Sequence, residues 1–330
     1  MSYYFSPLRL IAGFVFVLAG LFAYYGFRTV FALPIVLIVA GGALVLVVLT
    51  GRRPGGEDIA LLVIALLAFG LVVSGPSFTG PRETITYSAS RSQVNVNQVV
   101  LNTDASFGSV TILFSDNESL AYRVEISRST MASFFQGDVS NFSFSNQTRD
   151  GTLLLNMSST DAEILVTLGP HYTTSLDAST GTGSITLTAP RTERVDKIVL
   201  TTGTGSINAE INAQGVKVLT LSAGTGSVHL KSDYLAAAGA ETPFTVSTGT
   251  GSVNIDMKIP RSTSATLTAT TDLGTVSHSL QGFTIAHSSN NRVDATTEDT
   301  VKPENSFRIR ISTGTGSIDL KAARLTQTQL

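Results

Sequence analysis

The chain has no cysteine, no tryptophan and only four histidines in 330 residues. Lack of cysteine excludes disulfide staples, thiol nucleophiles and thiolate metal sites. A domain outside the cell must then be held by its own backbone pairing and core, which suits a prokaryotic envelope protein better than a small secreted disulfide domain. Charge is also scarce, at 14% of residues. From Pro76 onward, 18 Lys and Arg stand against 22 Asp and Glu, a balance of −4. The basic face that displaces counterions from nucleic acid is therefore missing. Nor is this part acidic enough to be a solvating tail.

What the chain does have is unevenly spread. Three apolar runs, Leu10 to Phe27, Val30 to Leu49 and Ile59 to Val73, precede a polar remainder rich in Ser, Thr and Asn. At about 1.5 Å per residue the first two can cross roughly 30 Å of hydrocarbon as helices. The third reaches that length when Ser74 and Gly75 are included, its alternative being a buried or re-entrant helix. Gly13, Gly20, Gly41, Gly42 and Gly70 would let helices approach closely, although ordinary membrane composition gives the same glycines. Arg9, Arg52 and Arg53 against a lone Arg28 place the N-terminus in the cytoplasm and everything from about residue 76 outside it. A cleaved signal peptide fits less well, because its charged region would be Arg9 alone and another run follows at once. The expected organisation is a membrane domain, 1–75, with transmembrane helices at 10–27, 30–49 and 59–75, then a linker, 76–98. A repeat β domain, 99–320, irregular at 115–170 and 282–305, and a tail, 321–330, complete it.

The polar part repeats itself. "STGTGSITL" from Ser179 returns as "TTGTGSINA", "SAGTGSVHL", "STGTGSVNI" and "STGTGSIDL". The second glycine of each, Gly183, Gly205, Gly226, Gly251 and Gly316, marks the repeat, and "TTDLGTV" and "TDASFGSV" place Gly274 and Gly108 likewise. From Gly183 through Gly274 the markers step by 22, 21, 25 and 23 residues, and Gly316 follows 42 later, close to two turns of 21. Such a period belongs to repeat architectures. On either side, apolar residues alternate with Ser, Thr, Asn and Asp at period two, which reads as strand, corner, strand with one face buried. Glycine at the corner supplies unusual backbone angles and spares a side chain where the chain folds sharply. The structural glycines are thus Gly108, Gly181, Gly183, Gly203, Gly205, Gly224, Gly226, Gly249, Gly251, Gly274, Gly314 and Gly316.

The expected fold class is N-terminal membrane α-helices plus an all-β ectodomain, a β-solenoid of roughly 21–25-residue coils, with a two-sheet β-sandwich as the alternative. Stacked coils would bury one another's apolar rows, and their Thr and Ser columns could form hydrogen-bonded ladders. Apolar spans followed by "TGTGSI"-type repeats resemble the putative-adhesin family of bacterial and archaeal envelope proteins, over about Val99 to Leu320. A related arrangement, spans and then a β-helical domain, occurs in the cell-wall-active antibiotic response family. The resemblance implies attachment at the cell surface but brings no ligand and no functional residue with it.

Candidate chemistry is thin. A phosphate cradle at GTGS needs a helix directly behind the loop, and a strand-forming Ile-Thr-Leu follows instead. Among His171, His229, His278 and His287, His229 and His278 fall near equivalent places, but two coils apart and without an acidic cluster. Lys231 and Asp256 follow their markers by five in consecutive coils, with Lys321 farther along, which reads as a solvated, charge-alternating edge rather than an acid–base pair. Four glycosylation triplets start at Asn117, Asn141, Asn146 and Asn156. They fit an outside location, although a Ser/Thr-rich chain produces such triplets by chance. The expected function is a membrane-anchored, non-catalytic module for surface interaction or adhesion, without cofactor, metal or nucleic acid. Its partners would be the lipid bilayer and a surface polymer or protein. A regulator of envelope-stress signalling is the alternative, and a polysaccharide-acting enzyme a distant one.

Overall fold

The computed structural model describes residues 82–129, 142–190, 193–239, 241–298 and 303–325. Each repeat is a long strand, a sharp corner and a shorter strand. In one copy, Val218–Thr225 buries Leu219, Leu221 and Ala223, and Val228–Ser232 buries Val228, Leu230 and Ser232. The side chains between them point to solvent, as period-two alternation requires.

The first strands in chain order are β1 (Arg82–Ser90), β2 (Gln98–Phe107), β3 (Val110–Phe114), β4 (Leu120–Ser129), β5 (Phe142–Arg149), β6 (Thr152–Asp161) and β7 (Glu163–Leu168). The central ones are β8 (Thr173–Thr182), β9 (Ile185–Ala189), β10 (Arg194–Thr204), β11 (Ile207–Ile211), β12 (Val218–Thr225), β13 (Val228–Ser232), β14 (Thr242–Thr250) and β15 (Val253–Ile259). The last are β16 (Thr263–Leu273), β17 (Val276–Gln281), β18 (Phe283–Ser289), β19 (Arg292–Thr297), β20 (Asn305–Thr315) and β21 (Ile318–Arg324). A single turn of helix, α1 (Arg91–Val94), follows β1.

Two sheets result. One has ten strands in the order β1-β4-β7-β3-β9-β11-β13-β15-β21-β17, the other eleven in the order β18-β19-β16-β20-β14-β12-β10-β8-β2-β6-β5. Every repeat gives its long strand to the eleven-stranded sheet and its short strand to the other. Neighbouring repeats pair in parallel and in register, Leu219 beside Phe244 in one sheet and Val228 beside Val253 in the other. Like therefore sits on like, and the inner faces of both sheets join in one apolar core.

The expected combination of membrane helices and β-solenoid is corrected by this arrangement, which is the two-sheet sandwich. Among the described residues no helix is long and apolar enough to cross a membrane. The three apolar runs that carried the helix expectation lie outside the described residues. A solenoid would stack each coil on its predecessor in the chain, and here chain order and stacking order part at both ends. Strands β20 and β21 insert between β14–β15 and β16–β17, so Gly316 rests on Gly251 and Gly274 rests on Gly316. Likewise β2 and β3 lie between β6–β7 and β8–β9. Antiparallel strands then close the margins: β4 on β7, β5 on β6, and the hairpin β18–β19 on β16. Period-two alternation reports which face is buried but not which strand lies beside which, and for that reason the order was invisible in the sequence.

The β6–β7 unit is a further copy of the repeat that carries no marker glycine. Ala162 stands at its corner, and the Cβ of an alanine at Gly108 would run into the Ala162 carbonyl. At the same end, Tyr87 of β1 stacks on Phe144 of β5 with ring centroids 4.4 Å apart, closing the core between the two sheets. At the other end Phe283, Val293 and Ala295 of the β18–β19 hairpin are buried against it.

Candidate binding face

The corners hold the two sheets together, and their geometry answers why the same residues recur. Gly108, Gly183, Gly205, Gly226, Gly251, Gly316 and Gly274 form one column, with φ between +126° and +152°. That backbone region is open to glycine alone. The first glycines, Gly181, Gly203, Gly224, Gly249 and Gly314, have ordinary φ but form a second column, in which an added Cβ would lie 2.6–2.7 Å from the next carbonyl oxygen. Backbone hydrogen bonds run through the corners, as from Gly226 N–H to the Thr250 carbonyl at 2.8 Å. Buried threonines add a ladder: Thr180, Thr202, Thr248, Thr313 and Thr271 each donate a hydroxyl to a marker-glycine carbonyl, at 2.9–3.3 Å.

On the outer side of the same corners a column of exposed threonines, Thr182, Thr204, Thr225, Thr250 and Thr315, is flanked in register by Phe107 at one end and Leu273 at the other. Phe107 and Leu273 are 61% and 68% exposed. Their signal was present in the sequence, since each directly precedes a marker glycine where the regular copies have Thr.

The most structured exposed surface is the outer face of the ten-stranded sheet, over β9, β11, β13 and β15. Two polar columns run across these strands. One holds Thr186, Asn208, His229 and Asn254, continued by Asp319 on β21. The other holds Thr188, Glu210, Lys231 and Asp256, continued by Lys321. Between them lies an open depression of about 380 Å³. Rungs recur at about 4.8 Å, the spacing of adjacent strands. Lys321 is the immediate neighbour of Asp256, because β21 stacks directly on β15. Glu210, Lys231, Asp256 and Lys321 thus alternate in sign over four consecutive rungs, and Lys231 Nζ lies 3.9 Å from Glu210 Oε1. Beside this row, Lys258 Nζ donates to Asp233 Oδ1 at 2.7 Å. That hydrogen bond and its charge hold the Asp233 carboxyl below the usual carboxylate range and raise Lys258 above its own.

The other singled-out residues are dispersed. His229 follows its marker by three and faces outward, whereas His278 follows its marker by four and occupies the inward column of Leu230, Ile255 and Leu320. The two lie three strands apart on opposite sides of the sheet, and His278 Nε2 is 3.1 Å from Ser288 Oγ. His287 on β18 lies opposite Asp294, and His171, with φ +70°, sits in the turn before β8. No group of three or more metal-ligating side chains occurs among the described residues. Of the glycosylation triplets, Asn117 is in the turn after β3, Asn146 on β5 and Asn156 on β6. Asn141 lies outside the described residues.

No family model matches the sequence, and no curated protein matches it. Among solved structures, the chain is similar to a "putative cell adhesion protein" from Clostridium sporogenes, at 14% identity and a TM-score of 0.45, over 73% of this chain and all of that one. It is also similar to a "putative adhesin" from Bacteroides fragilis, at 10% identity and a TM-score of 0.26, over 73% of this chain and 97% of that one. A third, from Parabacteroides merdae, has 10% identity, a TM-score of 0.24 and coverage of 75% and 98%. Similarity at this level assigns no ligand.

Proposed function

We propose that the sandwich is a surface-interaction module, held at the cell membrane by the apolar runs of residues 10–75 and displayed outside the cytoplasm, which acts without a reactive centre. The observation that carries this reading is the outer face of β9 to β15. Its groups, amides, hydroxyls, an imidazole and alternating charges, are laid out in register on a rigid sheet, rung after rung. None is buried, and the close pair among them, Lys231 with Glu210 at 3.9 Å, is an ion pair between neighbouring rungs. A face of this kind offers many similar contacts of modest strength to a hydrophilic polymer or protein surface and gains affinity through repetition. The surface attachment that the GTGS repeats imply by resemblance agrees with it.

The test is binding as a function of display density. The full chain, reconstituted in vesicles at rising surface density, would be applied to cell-wall fractions, whole cells and glycan panels. Binding that climbs far more steeply than density is the expected result. Tight binding by single, isolated molecules, or turnover of any polysaccharide offered, would overturn the proposal.

A further inference from the structure

We infer that Asn117 carries an N-linked glycan, while Asn146 and Asn156, which have the same triplet signature, stay bare. The inference rests on the extracytoplasmic placement proposed above, and it turns on what each side-chain amide is doing and on the backbone that carries it. Asn117 sits in an exposed turn, 115–119, that leads from β3 over the end of β7 to β4. The turn is built by the triplet itself. Ser119 donates its backbone N–H to Asn117 Oδ1 at 3.0 Å and its hydroxyl to the same oxygen at 2.7 Å. The Asn117 N–H in turn donates to Ser115 Oγ at 3.1 Å. Both bonds to the side chain end on Oδ1, so Nδ2 is left pointing outward with no partner among the described residues.

The other two triplets lie on strands rather than in a turn. Asn146 Nδ2 donates to the hydroxyl of buried Tyr122 at 2.6 Å, so its nitrogen is turned into the end of the sandwich. Asn156 lies on β6, which is paired on both sides, by β2 and β5, and its Oδ1 accepts from Asn102 Nδ2 at 2.8 Å. Asn146 could take a glycan only by giving up the Tyr122 bond. Asn156 has its Nδ2 free, as Asn117 does, but sits in mid-strand between two paired neighbours, so a transferase could seat its triplet only by drawing β6 out of the sheet.

The chemistry needs a lipid-linked oligosaccharide phosphate as donor, supplied on the outer side of the membrane. Asn117 Nδ2 attacks the anomeric carbon. The N–C bond forms as the bond from that carbon to the phosphate oxygen breaks, the lipid phosphate leaves, and Nδ2 gives up one proton. Placement also fits a modified module. Strands β3 and β7 both run away from the corners, so the 115–119 turn lies on the edge opposite the GTGS column. A glycan there would leave the outer face of β9 to β15 uncovered.

The full chain, purified from the membranes of its own host, would be digested and its peptides mapped by mass spectrometry, alongside Asn117→Gln, Ser119→Ala and Ser119→Thr variants. The expected result is a sugar-bearing Asn117 peptide in the parent and in Ser119→Thr, lost in the other two, with Asn146 and Asn156 unmodified throughout. A bare Asn117 in the parent, or sugar on Asn146 or Asn156, would overturn the inference. Labelling of Ser90→Cys by an impermeant maleimide in intact cells separates the two levels. Label with a bare Asn117 removes this inference alone, and no label removes the placement on which it rests.

Discussion

A methyl group on Gly226 would lie inside the carbonyl oxygen of Gly205, and the backbone there has φ +135°. Gly151, in the turn between β5 and β6, has φ +74° but nothing within 4 Å of an added Cβ. The two positions separate backbone strain from steric conflict. Gly151→Ala bears only the left-handed penalty, about 1–2 kcal/mol. Gly226→Ala bears a glycine-only conformation and a clash with a backbone that cannot move without shifting every corner above it, about 3 kcal/mol or more. Denaturant midpoints of the two variants check this, and equal losses would contradict it. Tyr172 offers a second test at the same scale. Its ring is 2% exposed, its hydroxyl has no hydrogen-bond partner among the described residues, and the Arg91 guanidinium lies 5.6 Å from the ring centroid. Burial raises the phenol above its ordinary value of 10.0, and Arg91 pulls weakly the other way. The folded chain therefore holds this proton more tightly than the unfolded chain. The stability this confers is intact below pH 10 and is lost as pH rises through the higher folded value. Tyr172→Phe should stabilise the fold by about 1 kcal/mol, since it removes an unsatisfied buried hydroxyl. It should also blunt the fall in stability above pH 10. A loss of stability in Tyr172→Phe at neutral pH would show that the hydroxyl is satisfied.

The repeat unit is legible at the level of elements, and so is its corner. Alternation around Leu219, Leu221, Val228 and Leu230 gave both strands and their buried face, because burial of one face of a pleated strand imposes period two on the sequence. What alternation cannot convey is neighbour identity, and there the reading from sequence failed. Gly274 was placed between Gly251 and Gly316, whereas the stack puts Gly316 in the middle. The β6–β7 unit was missed because Ala162 replaces the glycine that served as marker. On the candidate face, the spacing of Lys231 and Asp256 from their markers is what singles them out. Asn208, His229 and Asn254 each follow their markers by three and stand in one row, which grouping His229 with His278 conceals. Register is also what makes the fold editable. Deleting residues 205–225 removes one whole repeat and joins Thr204 to Gly226, leaving β10 beside β14 and β9 beside β13 in unbroken register. Deleting 206–225 instead leaves Gly205 and Gly226 in tandem and puts an extra residue into the corner. Hydrogen exchange should find β14 and β15 still protected in the first variant and deprotected in the second. Equal protection in both would show that corners tolerate slippage.

At the scale of the whole molecule, the described residues form an array of similar rungs, and the proposed function needs no privileged residue among them. Its two sheets, tied at one edge by seven stacked glycines, fix the outer side chains of β9, β11, β13 and β15 at constant spacing. The ion pairs of this face are exposed, so they add little to stability and leave their charges available to a partner. Affinity should then be a property of the row rather than of any member. The most direct test is a graded alanine series on the full chain displayed in vesicles against its target surface. It runs from His229→Ala alone to His229→Ala with Asp256→Ala, and then adds Asn208→Ala and Lys231→Ala. The account predicts a small loss, a few-fold at most, for each single change and a roughly multiplicative loss as substitutions accumulate across rungs. Abolition of binding by one substitution, with the others silent, would contradict it.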